Sequence, residues 1–291
     1  MFADAIERVA GFTRPVHTII RTYGGKQIVP GSATLFFVNP NGVAITCKHV
    51  INLLANAEKI NQFYVDFVSE KKRIPQDENF AAGLRTLEIK YNYTPDTIVQ
   101  IKTTFVDCVD TMTGFTWHEH PNFDLAILQF HGFQKTLYSG AAHFLKNLSK
   151  LRQGDFLCRL GFPFPEFTNY VYHAAIDDIQ WTHSGNPASP RFPTEGMVTR
   201  FLAEGNTMYG IELSTPGLKG QSGGPLFNQS GTIYGMQFST KHLHLGFDQE
   251  NKELSEEDKM NHPSFLHLGQ CIHASIIKEF LAEKKIVFFE E

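Results

Sequence analysis

The chain has 291 residues, 42% apolar and 19% charged, with 26 Phe; this composition excludes disordered, fibrous and collagen-like chains and describes a soluble globular protein able to bury one large core or two small ones. Its formal net charge of −4 offers no bulk attraction for nucleic acid or anionic lipid. The excess sits in residues 247–260, where Asp248, Glu250, Glu253, Glu256, Glu257 and Asp258 stand against Lys252 and Lys259, a stretch that reads as a solvated loop.

Along the chain, Phe2, Ile6, Val9 and Ala10 mark one helical stripe, closed by Pro15 before an alternating run over 16–23, so a helix and then a strand are expected. Residues 32–38 and 43–47 flank Asn39-Pro-Asn-Gly42, whose Pro and Gly suit a tight turn, and predict a β-hairpin. Residues 51–60 read as a short helix. After it, β-rich runs recur at 63–68, 87–93, 97–109, 125–130, 156–160 and 170–175, and many short strands between turn residues point to barrels or sandwiches. Residues 184–193, with Gly185, Pro187, Pro190 and Pro193, read as a loop. A second hairpin is predicted over 225–227 and 232–238, around Asn228-Gln-Ser-Gly231. Toward the C-terminus Ile272, Ile276, Phe280 and Leu281 share one face, so a helix is expected to cover the barrel body there.

No apolar run reaches the roughly 18 residues that span a bilayer, and Asp4, Glu7 and Arg8 interrupt the start where a signal peptide needs an apolar region. The expected compartment is the cytosol. Cys47, Cys108, Cys158 and Cys271 are too few and too scattered for a disulfide framework and form no C-x-x-C pair, so buried, reduced thiols are expected.

Three segments carry chemistry. Gly220-Gln-Ser-Gly-Gly-Pro225 lets the backbone fold so that the Ser222 hydroxyl is exposed while NH groups converge on one point, although Ser-Gly-Gly is also an ordinary turn. Val43-Ala-Ile-Thr-Cys-Lys-His-Val50 sets His49 at the end of a hairpin strand. His120-Pro-Asn-Phe-Asp-Leu-Ala-Ile-Leu128 sets Asp124 just before an apolar strand. Each of the last two has a plain reading, a surface histidine and a loop aspartate. Together they match what acyl transfer needs: a hydroxyl is a poor nucleophile near pH 7, a base must take its proton, and an anion must hold that base. The NH groups of Gly220 and Ser222 would then meet the oxyanion, an interaction worth roughly 3 to 4 kcal/mol per donor.

These segments resemble the chymotrypsin-like (trypsin-fold) serine peptidases, and more closely the bacterial Deg/HtrA-type branch, in the glycine-rich hairpin, Thr-x-x-His-Val, Asp-Leu-Ala and Gly-x-Ser-Gly-Gly; Leu151-Arg-Gln-Gly-Asp-Phe-Leu-Cys-Arg-Leu-Gly-Phe-Pro163 and Glu195-Gly-Met-Val-Thr199 add to it. The resemblance covers about residues 30–240. It implies an all-β fold of two antiparallel six-stranded barrels, flanked by the N-terminal and C-terminal helices. Residues 1–145 would carry His49 and Asp124, residues 146–291 would carry Ser222, and the substrate, a protein or peptide, would lie between them in one peptidase unit. It also sets Pro216, Leu218, Lys219, Gln237, Phe238 and Ser239 near the substrate pocket, the strand pairing with the substrate backbone. With Pro216 where trypsin-like enzymes place an aspartate, cleavage after Arg or Lys is not expected, and an uncharged, apolar residue is.

The departures are informative. Gln221 offers no charge to pair with a newly cut N-terminus, and no Ile-Val-Gly-Gly activation site occurs, so that route of activation is not expected. Val50 replaces the cysteine that often follows the histidine. Phe238 stands where relatives often have a serine that supports the aspartate. With 69 residues after Ser222, taken up in part by the hairpin and the terminal helix, no PDZ domain is expected. His118-Glu119-His120 and His242-Leu-His244 read as surface or hydrogen-bonded histidines rather than metal ligands, and Cys47 as a core thiol. No metal or cofactor is expected, nor a nucleic-acid or membrane partner. The second reading of the same residues is a peptidase-fold binding module whose triad is unused or waits for a partner.

Overall fold

The computed structural model describes residues 1–147, 150–205, 207–245, 255, 257 and 265–291, so the acidic stretch over 247–260 lies outside the described residues apart from Ser255 and Glu257. A first helix, α1 (Ala3–Ala10), buries Ala5 and Val9, on the side where the sequence shows its apolar stripe. Strands β1 (Thr13–Thr22), β2 (Val29–Phe37), β3 (Val43–Thr46), β4 (Ile98–Phe105), β5 (Gly114–Glu119) and β6 (Ala126–His131) then form one sheet in the order β4-β1-β2-β3-β6-β5. The first predicted hairpin is present, with Phe36 opposite Ile45 and Phe37 opposite Ala44. No strand pairing joins β4 to β5 among the described residues; Phe105 and Phe115 instead meet edge to face at 5.4 Å. The first barrel is thus an open six-stranded sheet whose rims touch through side chains.

The second half contains β7 (His143–Phe144), β8 (Phe156–Gly161), β9 (Tyr170–His173), β10 (Asp178–Trp181), β11 (Phe192–Glu204), β12 (Thr207–Leu213), β13 (Pro225–Phe227), β14 (Ile233–His244) and β15 (Phe265–His273). Because β13 pairs with both β8 and β14, the pairing runs round a ring of six, β13-β8-β11-β12-β15-β14. Two short parallel additions depart from a purely antiparallel barrel: β7 lies beside β14, and β16 (Phe289–Glu290) beside β7. The C-terminal helix is α4 (Ala274–Glu283); it buries Ile276, Phe280 and Leu281 of the expected face together with Ile277, whereas Ile272, read on that face, belongs to β15. One apolar cluster runs through both halves, joining Leu35, Phe36 and Ile45 to Leu160, Phe227 and Ile272.

The largest correction lies between β3 and β4. The short helix read over 51–60 is a 24-residue helix, α2 (Lys48–Lys71), and the strands read over 63–68 and 87–93 belong to α2 and to α3 (Phe80–Tyr91). A brief apolar run fits either period. Over the whole segment, however, Val50, Leu54, Ala57, Tyr64 and Phe67 recur at helical spacing, and all are buried. Tyr64 and Phe67 cluster with Leu87, Tyr91, Tyr93 and Val99, and Asn61 exchanges two hydrogen bonds with the main chain of Ile101 on β4, at 2.7 and 2.9 Å. The strand read over 97–109 ends at Phe105.

The β9–β10 hairpin straps the second half to the first. Arg21 of β1 lies 5.1 Å from the rings of both Tyr64 and Tyr172, its guanidinium meets Asp177 at 3.1 Å, and Lys102 meets Asp178 at 2.5 Å. All four cysteines are buried and unpaired. Among the described residues no helix is long and apolar enough to cross a membrane.

Candidate active site

His49 stands in the first turn of α2, not at the end of β3, because the chain turns into the helix directly after Cys47, its N-cap. Two hydrogen bonds bind it to Asp124, in the loop before β6: the ring Nδ1 lies 2.6 Å from Asp124 Oδ2, and the His49 main-chain NH donates to Oδ1 at 2.9 Å. Burial pushes the Asp124 carboxyl up, but the hydrogen bonds from the ring and main chain of His49 outweigh it and hold the group below the usual carboxylate range. The loop is shaped by His120, whose Nδ1 accepts from the NH groups of Asn122 and Phe123 at 3.2 and 3.1 Å. That is the hydrogen-bonded role read for it in the sequence, and burial pulls its ring below the ordinary value.

Ser222 lies in the loop between β12 and β13, and the other half of the molecule holds that loop. Thr34 of β2 donates its NH to Ser222 O at 3.0 Å and its hydroxyl to Gly220 O at 2.7 Å. From β14, Gln237 O accepts the Gly223 NH at 2.9 Å, and Gln237 NH donates to Gly224 O at 2.9 Å. Gly220 and Gly223 have φ of +90° and +85°, and a Cβ on Gly223 would sit 2.0 Å from Thr34 O, so only glycine fits there. Gln221 is fully buried, with its Nε2 donating to Phe192 O at 3.1 Å and to Thr194 Oγ1 at 2.9 Å, while its Oε1 accepts the Leu218 NH at 3.1 Å. The loop is held by neutral partners and needs no ion pair. Among the described residues the NH groups of Gly220 and Ser222 donate to nothing in the chain.

His49 and Ser222 open onto the same cavity, of about 410 Å³. Its walls include Pro216, Leu218, Lys219, Gln237, Phe238 and Ser239, the six residues that the resemblance implies near the substrate pocket. No hydrogen bond joins Ser222 Oγ to His49 among the described residues. Phe238 sits at a break in the β14–β15 register between Gln237 and Ser239 and gives Asp124 no hydrogen bond; the carboxylate takes its support from the start of α2. Phe238 also borders a second cavity, behind Asp124, with Phe123 and Tyr209.

The ligand atoms of Cys47, His49 and Asp124 lie within 4.8 Å of one another. Cys47 is fully buried, its Sγ donates to Gln237 O at 3.4 Å, and burial pushes its thiol well up. It is the core thiol read from the sequence. The arrangement unites a base oriented by a carboxylate, an accessible hydroxyl and two uncommitted NH donors, which is what nucleophilic attack on a carbonyl requires.

Three residues here were not singled out in the sequence. Thr34 carries no signal, being one hydroxyl in a β-rich run. Arg159 has one, a lone charge inside the apolar strand Phe156–Gly161, and His267 pairs with His242 only once β14 and β15 lie side by side.

A model of the trypsin-like peptidase domain family matches residues 32–236, a span that includes His49, Asp124 and Ser222. No curated protein matches the sequence. Among solved structures, the chain is similar to the HtrA-type protease AlgW with decapeptide, at 14% identity and a TM-score of 0.50, over 97% of this chain and 66% of that one. A variant of AlgW with decapeptide is similar at 13% identity and a TM-score of 0.49, over 99% and 68%. The chain spans about two thirds of the length of these proteases, and at such identity the likeness is one of fold.

Proposed function

This chain belongs to the trypsin-like peptidase domain family, and from that premise we propose that it is a serine endopeptidase acting through His49, Asp124 and Ser222. His49 takes the proton of the Ser222 hydroxyl as Oγ attacks the peptide carbonyl, while Asp124 holds the Nδ1 proton and stabilises the imidazolium that forms. The NH groups of Gly220 and Ser222 receive the oxyanion. His49 then gives its proton to the leaving amine, and the acyl-enzyme is hydrolysed when His49 draws a proton from water. No cofactor enters the scheme.

The observation that carries this reading is the doubly hydrogen-bonded His49–Asp124 pair facing the cavity that Ser222 also lines. The similar AlgW structure was solved with a decapeptide, in keeping with peptide as the substrate class. The four buried, unpaired cysteines suit the reducing cytosol. Labelling by a fluorophosphonate probe tests the reading: the chain reacts and Ser222→Ala does not, whereas an unreactive chain defeats it.

One observation favours the second reading, a partner-activated module: Ser222 Oγ is not hydrogen-bonded to His49. If a partner completes the site, labelling of Ser222 appears only when that partner is present.

A further inference from the structure

Strand β8 carries one charged side chain, Arg159, and no part of it reaches solvent. Taking a guanidinium out of water is costly, and the cost is offset only where its donors are met. Its Nη1 donates to Gln237 Oε1 at 2.8 Å, and its Nη2 donates to Thr215 Oγ1 at 2.6 Å, to Pro216 O at 3.0 Å and to Thr215 O at 3.2 Å. Arg159 does not line the active-site cavity. Gln237 and Pro216 do, and they belong to the two stretches, 237–240 and 216–219, that supply most of its described wall. Resting on the peptidase reading above, we infer that Arg159 is a positioning residue: through Gln237 on one stretch and Thr215 and Pro216 on the other it fixes their spacing, and thereby the fit of the substrate side chain, without touching the substrate.

Three observations carry this. A guanidinium only donates, so the oxygen of the Gln237 amide has to face it and the amide nitrogen has to face away. That nitrogen donates to Ser239 O at 2.6 Å, reaching past Phe238 at the break in the β14–β15 register. The amide is held at both ends, and the bend of the wall at Phe238 is held with it.

The other stretch lies directly on that amide. A Cβ at Gly217 would come 2.2 Å from Gln237 Nε2, and Gly217 O accepts the Thr240 hydroxyl at 2.8 Å. A shift of Gln237 therefore moves Gly217 as well. Room for the guanidinium is built from a third element: on β15, a Cβ at Gly269 would come 2.0 Å from Arg159 Nη1, and the Gly269 NH donates to Thr215 O at 2.9 Å. The fork is thus clasped between β14, β15 and the loop that leads to Ser222. Its two terminal nitrogens serve acceptors on different stretches, a task that the single nitrogen of a lysine does not perform.

The test compares two probes on the full chain. A small alkyl fluorophosphonate reads Ser222 alone, whereas a peptidyl diphenyl phosphonate also places a side chain in the cavity. Of a set differing only in that side chain, the one that labels the parent chain fastest is used. Arg159→Lys keeps the charge but not the fork. It is expected to raise the inhibition constant KI of the peptidyl probe about tenfold, while the inactivation rate at saturation and labelling by the small probe stay within about twofold of the parent. Thr215→Val removes one acceptor, leaves Arg159 in place and should raise KI about threefold; it decides the matter if Arg159→Lys fails to fold. An unchanged KI in the folded variants, a loss shared equally by both probes, as general loosening would give, or no labelling by any peptidyl probe overturns the proposal. Failure of the two readings is separable. A parent chain that reacts with neither probe sinks the peptidase reading and this one with it, whereas a labelled Ser222 with an unchanged KI sinks this one alone.

Discussion

The histidine side and the serine side of the cleft are held in opposite ways. His49 and Asp124 both belong to the first sheet and the helix that follows it, and their two hydrogen bonds are made within that half. The Ser222 loop belongs to the closed ring of the second half, yet its carbonyls at Gly220 and Ser222 are held by Thr34 from the first. The hydrogen bonds of the His49–Asp124 pair thus stay within one half, while the Ser222 loop, held by Gln237, Phe192 and Thr194 of its own half, also takes support from Thr34 across the seam. Damage to the seam should harm the serine side first.

Several changes break or sharpen that contrast. The largest effect is expected from Ser222→Ala or His49→Ala, each lowering kcat on a cleaved peptide by about 10⁴-fold or more, with little change in melting temperature. Asp124→Asn should come next, a loss of roughly 10³- to 10⁴-fold, because the amide no longer fixes the tautomer and charge of His49. Thr34→Val removes the hydroxyl from Gly220 O and should lower kcat about tenfold. Thr34→Ser should restore it, and NMR of the His49 ring should be the same in both variants, since only the serine side has moved.

A separate effect, on stability rather than on rate, concerns acid. His17 of β1 stacks on Phe167 of the second half at 4.0 Å, and its Nε2 lies 2.9 Å from Ser189 Oγ. Burial lowers its pKa to about 4. Because this folded value is below the unfolded one of about 6.5, the unfolded chain binds more protons between the two. The stabilisation is therefore full above about pH 6.5 and is lost as pH falls toward 4, by up to roughly 3 kcal/mol for such a group. Thermal melts of the chain should fall over that window, and His17→Phe should flatten part of the decline. His273, lowered to about 4 in the same way by burial, leaves a remainder.

Much of the site was legible in the sequence because its parts are local. The tight turn at Asn39-Pro-Asn-Gly42, the glycines around Ser222 and the apolar strand after Asp124 each declare their geometry within a few residues. Residues 63–68 and 87–93 misled for the converse reason: six or seven apolar-rich residues match a strand as well as a helix, and the helical spacing shows only over the longer segment whose Tyr64 and Phe67 pack with Leu87 and Tyr91. Thr34 and His267 gave no local sign of a place at the site, and Arg159 only a lone charge in an apolar strand, since what they contact lies far away in the chain.

By itself the sequence determined the hairpins, the terminal helices and the three chemical segments, all consequences of short-range backbone preference and of a motif pattern. Only the tertiary structure decided that the first sheet stays open while the second closes on itself. It also decided that the Ser222 loop is clamped from across the seam, and that a buried guanidinium stands behind the pocket. The physical reason is that closure, clamping and electrostatic environment are properties of groups brought together through space, and residues such as Thr34 and Gly220, or Arg159 and Pro216, become neighbours only when the two halves are folded.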